Sequence, residues 1–475
     1  MQSEMSMPIG DLRPELILLG GAVGILLYAL FAPRRWQAGA AVLSFVVVLA
    51  SAAATISLLP RAQALTFFDT YALDGAALWA KLIVLGVTGA TVGLSVEWFR
   101  ADPRHGEYYT LLLFSALGAI LLAGATDLME VILGVLLSSV TGYVLAAYHR
   151  QSKPAGEAAI KYYLLGALTN GFLVYGVVLL FGVAATTTYP GLRAGLEDAG
   201  PWAAGVGVGL VAVGLAFKMG AVPAHAWVPD VAEGAPAPVA AFLTSAAKVG
   251  ALLALARLLV VLPEDGLGWR PLVAFLAAAT MTLGNLAALW QDDVRRLLGW
   301  SAVSQTGYGL MALVALGRSE LAVPSLLFFL VAYTLANLAA FGAVVELRGL
   351  SERAAYAGLA RSRPRVFAVL VVSLLSFVGI PPLAGFTAKL ALFGAAIDAG
   401  YAWLAVLAVV NTVASLFYYA RVLGPGFFET PAAVPQPVLG RWAAIAAGAC
   451  AAGVVGAGVA ADPLVEAFRG SRLLP

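Results

Sequence analysis

The chain is poor in the side chains that build metal and redox centres. Cys450 is its one cysteine in 475 residues, which excludes an internal disulfide and any zinc or iron–sulfur site made from cysteine. The three histidines, His105, His149 and His225, lie far apart. There is no phosphate-cradling loop and no glycine fingerprint following a strand. A run such as Gly205-Val-Gly-Val-Gly reads as helix-packing glycine. Neither a metal nor a bound cofactor is therefore expected. Charge is scarce too: 11% of residues are charged, where a soluble protein carries roughly 25%. A net charge of +2 is uninformative here, because the placement of charge matters more than the total in such a chain; no nucleic-acid partner is expected. Polar connections are short, the longest being 348–365, so no soluble domain is expected. The first fifteen residues contain acids and no signal-peptide pattern, so the first span is expected to stay in the mature protein.

What is abundant is apolar sequence, 61% of the chain. Runs of about twenty residues, each enough to cross ~30 Å of hydrocarbon, recur from 16–31 to 443–461. They predict an all-α polytopic membrane protein of about 14 transmembrane helices. Loops after odd-numbered spans hold Arg34, Arg35, Arg100, Arg104, Arg150, Arg295, Arg296, the arginines of 348–365, Arg421 and Arg441. The opposite side has Arg13, Arg61, Arg193, Arg270, Arg318, Arg469 and Arg472. Positive charge marks the cytoplasmic side, so both termini are expected outside.

The lysines are distributed in the reverse way. Lys153 is in a loop, but Lys81, Lys161, Lys218, Lys248 and Lys389 fall within apolar runs. Lysine loses its proton when desolvated and arginine effectively does not. Charge in the membrane reads as function by default. Two runs are broken beside a lysine: Pro223 follows Lys218, and Pro381 and Pro382 precede Lys389. Proline removes a backbone donor and interrupts the helix. Broken helices at membrane depth are tolerated where they are buried in protein or line a water-filled cavity. The breaks fall in the seventh and twelfth spans, an odd offset, which predicts two inverted five-helix repeats. The expected division is 1–106 (three helices), 107–265 and 266–424 (the two units), and 425–475 (last helix and tail). Lys81 and Arg257 sit near helix ends and are expected to snorkel. Glu157 and Lys161, spaced i,i+4, form a helix-surface pair. Glu130 reads as the one carboxylate clearly inside a span.

The stretches Glu157-Ala-Ala-Ile-Lys-Tyr-Tyr-Leu-Leu-Gly-Ala, Phe217-Lys-Met-Gly-Ala-Val-Pro-Ala-His-Ala-Trp-Val-Pro-Asp-Val-Ala-Glu-Gly-Ala-Pro-Ala-Pro-Val, Gly284-Asn-Leu-Ala-Ala-Leu and Arg295-Arg-Leu-Leu-Gly-Trp-Ser resemble the subunit N family of respiratory complex I. These are antiporter-like membrane subunits of proton-pumping NADH:quinone oxidoreductase. The resemblance implies proton translocation in a bacterial cytoplasmic membrane. It implies other membrane subunits as partners, with flavin and iron–sulfur clusters in partner subunits and no redox centre here. It implies that Lys218 switches its proton, Lys248 connects, Lys389 serves the exit side and Lys161 is accessory. His225, Gln305 and Glu157 are expected along the polar path.

Two positions depart from the family pattern. A glutamate of the fifth helix is replaced by Leu136, and a histidine of the tenth by Gln305. Glu130, six residues before Leu136, lies about 120° off the same face. It is nonetheless the carboxylate expected to approach Lys218. These departures keep a non-pumping membrane scaffold open as an alternative, beside an Mrp-type cation/proton antiporter subunit.

Overall fold

The computed structural model describes residues 8–61, 63–102, 104–197, 201–263, 268–430, 440–471 and 473–474. Arg472 and residues 198–200, which bear on the predicted orientation, lie outside them. The first three long helices are α1 (Arg13–Phe31), α2 (Gly39–Leu58) and α3 (Gly75–Ser95). Between α2 and α3 runs a small antiparallel hairpin, β1 (Ala64–Thr66) with β2 (Tyr71–Leu73). Then come α4 (His105–Gly124), α5 (Leu128–Ala146), α6 (Lys153–Ala184), a short α7 (Tyr189–Glu197), α8 (Pro201–Met219), α9 (Trp227–Gly234), α10 (Ala237–Leu243) and α11 (Ala246–Val261). The second half holds α12 (Trp269–Ala288), α13 (Val294–Val314), α14 (Ala322–Glu346), a short α15 (Leu359–Ser362), α16 (Pro364–Val378), α17 (Ala384–Asp398) and α18 (Ala402–Phe428). Last are α19 (Arg441–Val459) and α20 (Ala461–Arg469).

Among the described residues, 12 helical segments are long and apolar enough to cross a bilayer. Two further spans complete the fourteen. One is α13, made less apolar by Arg295, Arg296, Ser301, Ser304, Gln305 and Thr306. The other is the pair α16 and α17, two halves of 15 residues each. The seventh span is likewise split, into α8 and α9. Each split passes through a glycine at positive φ, Gly220 (+75°) and Gly379 (+90°), a conformation a side chain disfavours. The prolines follow at Val222-Pro223 and Pro381-Pro382, both bonds cis.

The sequence did not announce a third interruption. The eighth span stops at Leu243 and resumes at Ala246, without glycine or proline. Side chains of α14 stitch it. Asn337 donates to Ala241 O (3.3 Å), Thr244 Oγ1 (2.8 Å) and Ser245 Oγ (2.9 Å), and the Tyr333 hydroxyl donates to Thr244 O (2.9 Å).

The two halves share a contact. A Cβ at Gly118 of α4 would meet Ser138 of α5, and one at Gly284 of α12 would meet Ser304 of α13. The register from glycine to serine is the same in both pairs. Small residues let membrane helices approach closely where no hydrophobic force drives them together. The second unit's last helix continues to Phe428, past the expected boundary at 424.

Candidate functional site

Lys248 and Lys389 each lie shortly after an interruption, and both are almost fully buried. The Lys248 ammonium donates to Ala302 O of α13 at 2.6 Å. It also sits over the Tyr333 ring, 3.9 Å from the centroid. The Lys389 ammonium donates to Phe377 O (2.7 Å), Val378 O (3.3 Å) and Thr412 Oγ1 (3.3 Å), and lies 4.2 Å from the centre of the Tyr308 ring. Phe377 and Val378 end α16, so their carbonyls have no helical donor. A helix C-terminus carries partial negative charge and attracts a cation.

Lys218 meets a different break. The carbonyls freed at the end of α8 are already used: Phe217 O accepts from Trp227 Nε1 (2.8 Å) and Met219 O from Thr306 Oγ1 (2.8 Å). The Lys218 amine, 1% exposed, has no hydrogen-bond partner among the described residues.

The three lysines converge on one face of α13. The Thr306 hydroxyl lies within hydrogen-bonding distance of both Met219 O (2.8 Å), next to Lys218, and Ala302 O (3.0 Å), the acceptor of Lys248. One turn from Ala302, Gln305 Nε2 donates to Phe377 O (3.3 Å), the acceptor of Lys389. Tyr308, three residues past Gln305, turns away from Thr306 toward α18 and Lys389. A cavity of about 10 Å³, lined by Gln305, Tyr333, Ser376, Phe377 and Lys389 among others, lies between Lys248's ring and Lys389. That is close to the volume one water needs. Sequence reasoning named the lysines and Gln305 but missed Ala302, Thr306, Tyr308, Tyr333 and Thr412. The signal was the polar run Ser304-Gln-Thr in the middle of α13.

Other predicted residues lie elsewhere. Lys161 is half exposed, on the surface of α6, paired with Glu157 (2.7 Å) and Asp230 (3.3 Å). Arg296 joins this cluster through Asp230 (2.6 Å) and Glu233 (2.7 Å). His225 lies in the connection between α8 and α9, 5.6 Å from the Trp300 ring, and its Nδ1 has no partner among the described residues.

The structure does not bring Glu130 to Lys218. Tyr143 packs at Gly166 level with Phe217, and Glu130 is thirteen residues before Tyr143 on α5, about 20 Å away along the axis. Glu130 belongs instead to a buried cluster at the opposite end, within electrostatic reach of Asp127, Glu15, Lys81 and Arg257. This corrects three expectations. Lys81 does not snorkel; it is fully buried, 2.5 Å from Glu15, which also accepts from the Tyr71 hydroxyl (2.6 Å). Arg257 does not snorkel either. Its guanidinium grips Asp74 with two bonds of 2.7 Å and donates to Ala123 O (2.9 Å) and Leu474 O (2.7 Å). Nor is Glu130 the one carboxylate inside, since Glu15 and Asp74 are more deeply buried. Leu136 faces outward and is 41% exposed.

Fourteen spans, two broken helices flanking a polar α13 and lysines held at helix ends define an antiporter-like membrane subunit. Residues 125–415 match the family described as NADH:quinone oxidoreductase/Mrp antiporter, transmembrane. The chain belongs to the subunit N branch of that family. NADH-quinone oxidoreductase subunit N 1 of Streptomyces griseus subsp. griseus is 46% identical over 436 residues, covering 91% of this chain and 92% of the relative. A chain of respiratory complex I from Thermus thermophilus is 30% identical, with a TM-score of 0.83, covering 97% of this chain and 100% of that one. A chain of the Mrp complex from Dietzia sp. has a TM-score of 0.85 at 21% identity, over 98% and 97% of the two chains, and so shares the fold.

Proposed function

We propose that the chain is a proton-translocating membrane subunit of a redox-driven NADH:quinone oxidoreductase, a translocase whose electron chemistry is done by partner subunits. Flavin and iron–sulfur clusters belong to those partners, and the partners' membrane subunits flank this one. The observation that supports this reading is the single polar face of α13, which links the surroundings of Lys218, Lys248 and Lys389 through Thr306, Ala302, Gln305 and Phe377. Protons pass from Lys218 to Lys248 to Lys389, each lysine changing charge in turn. Like charges repel strongly at low dielectric, so charging Lys248 drives Lys389 to discharge.

Residues 107–265 and 266–424 are the two transport units, with 1–106 and 425–475 flanking them. The setting is a bacterial cytoplasmic membrane, with the arginine-rich end inside and both termini outside. Lys161, Glu157 and Asp230 form the inner mouth beside the first break, and His225 stands behind it. Identity favours the quinone-reductase reading over the Mrp one, because both share the fold.

The test is replacement of Lys218 or Lys389 by Met in the assembled complex. Methionine keeps length and apolar packing while deleting the titratable group. Arginine at either place cannot give up its proton. The expected result is normal assembly with pumping and coupled turnover lost. Wild-type proton-to-electron ratios in vesicles for these variants would make the lysines structural and the chain a scaffold. Co-purification with antiporter subunits alone would favour the Mrp reading.

A further inference from the structure

We propose that Tyr333 and Tyr308 are positioning residues that hold the charged forms of Lys248 and Lys389, in the place a counter-carboxylate would take. The inference rests on the reading above, in which these lysines bear the moving proton.

A cation over an aromatic face is attracted by the ring quadrupole when it lies within about 6 Å of the centroid, and more strongly when desolvated. Both ammonium groups meet that condition, at 3.9 and 4.2 Å, in fully buried surroundings. No carboxylate acts on either lysine among the described residues. The titratable groups packed nearby are the two tyrosines themselves, Tyr419, which stacks on Phe377 (5.9 Å) and bonds Ser301 (2.5 Å), and Tyr418, whose ring lies 4.3 Å from that of Tyr419.

Each ring is fixed by a carbonyl that its lysine does not use, Thr244 O for Tyr333 and Ala408 O for Tyr308. The Tyr333 hydroxyl donates to Thr244 O across the interruption of the eighth span (2.9 Å). The Tyr308 hydroxyl reaches Ala408 O (3.2 Å) and Thr412 Oγ1 (3.0 Å) on α18. The ring therefore stays in place when the lysine discharges, as a preformed seat for the next proton. A ring balances part of an ammonium charge without trapping it, whereas a buried carboxylate forms a closed pair. Lys81 shows the contrast: it lies 4.8 Å from the Tyr71 ring and is also paired with Glu15. Among the described residues Lys218 has neither ring nor free carbonyl, so the two aromatic seats lie downstream of it.

The experiment measures proton-to-electron ratio against pH in vesicles holding the whole complex, for Tyr333→Phe, Tyr333→Met and the same pair at Tyr308. Phenylalanine keeps the ring and should follow the wild-type profile. Methionine keeps apolar bulk without a quadrupole. A seat that favours the ammonium, once lost, lets the lysine discharge at lower pH, so the alkaline limb should move down by about one pH unit. A series of progressively fluorinated phenylalanines at 333 preserves shape while weakening the ring's negative face. It should move the limb in graded steps even if the methionine variant does not assemble. Superimposable Phe and Met profiles, or no trend with fluorination, overturn the proposal. Lys248→Met separates the two failures. Pumping lost there with unmoved ring-variant profiles rejects the role of the rings alone; pumping kept there rejects the underlying reading as well.

Discussion

The Gln305 amide and the Lys389 ammonium donate to the same acceptor, the carbonyl of Phe377, at 3.3 and 2.7 Å. The two donors therefore stand within about 6 Å of each other, a range at which charges couple strongly in a low-dielectric site. Gln305 bridges toward Lys389 without a charge of its own.

The consequence is that Gln305→Glu should be more damaging than Gln305→Leu. A carboxylate here would pair with the ammonium and hold it charged, stopping turnover. Leucine removes one bond to a carbonyl that Lys389 still satisfies, so it should only lower the proton-to-electron ratio. Vesicle pumping assays of the two variants read the difference directly, and equal losses would contradict it.

A second prediction concerns the buried pair at the opposite end. Lys81→Met leaves Glu15 in a site where, among the described residues, Tyr71 alone still donates to its side chain. Removing one partner of a buried pair costs about 3–5 kcal/mol, whereas replacing both is often neutral. The single variant should thus lower the melting temperature of the purified subunit complex or abolish assembly, and Glu15→Gln added to it should restore much of the loss. A double variant no better than the single would show that the pair does not act as a unit.

These residues mark where the sequence was readable. A lysine in an apolar run stands out because desolvation makes it expensive, so Lys218, Lys248 and Lys389 were visible at once. Breaks made by proline were visible for the same reason, in backbone terms. The break after Leu243 was not, because Thr244 and Ser245 carry no such mark and α14 supplies what holds it. Nothing in the sequence marks Glu15 and Asp74 as buried acids; only packing of α1, α3 and α11 places them against Lys81 and Arg257. Carbonyl acceptors such as Ala302 and Phe377 have no sequence signature at all. Glu130 misled because its distance from Lys218 depends on helix directions rather than on residue type.

The orientation yields a third prediction. In a background with Cys450, the chain's one cysteine, replaced by Ala, Ser362→Cys should label with a membrane-impermeant maleimide only after cells are opened. It stands at the arginine-rich end, in the short α15. Labelling of intact cells would reverse the assignment of inside and outside.

Thr306 supplies the last prediction, because its hydroxyl touches the surroundings of both Lys218 and Lys248. It accompanies Met219 O at 2.8 Å and Ala302 O at 3.0 Å, joining the end of the first broken helix to the carbonyl that seats the Lys248 ammonium. One hydroxyl has a single proton, so it bonds one carbonyl at a time and can alternate between them. When it turns to Met219, Ala302 O is left to Lys248; when it turns to Ala302, it competes with the lysine for that acceptor. Thr306→Val keeps the shape and deletes the hydroxyl, at a typical stability cost of about 1 kcal/mol. The complex should assemble, yet pump fewer protons per electron, because Lys248 then holds Ala302 O without competition whatever happens at the first break. Thr306→Ser keeps the hydroxyl and should retain the wild-type ratio. If valine and serine variants pump alike, the coupling between Lys218 and Lys248 does not run through Thr306.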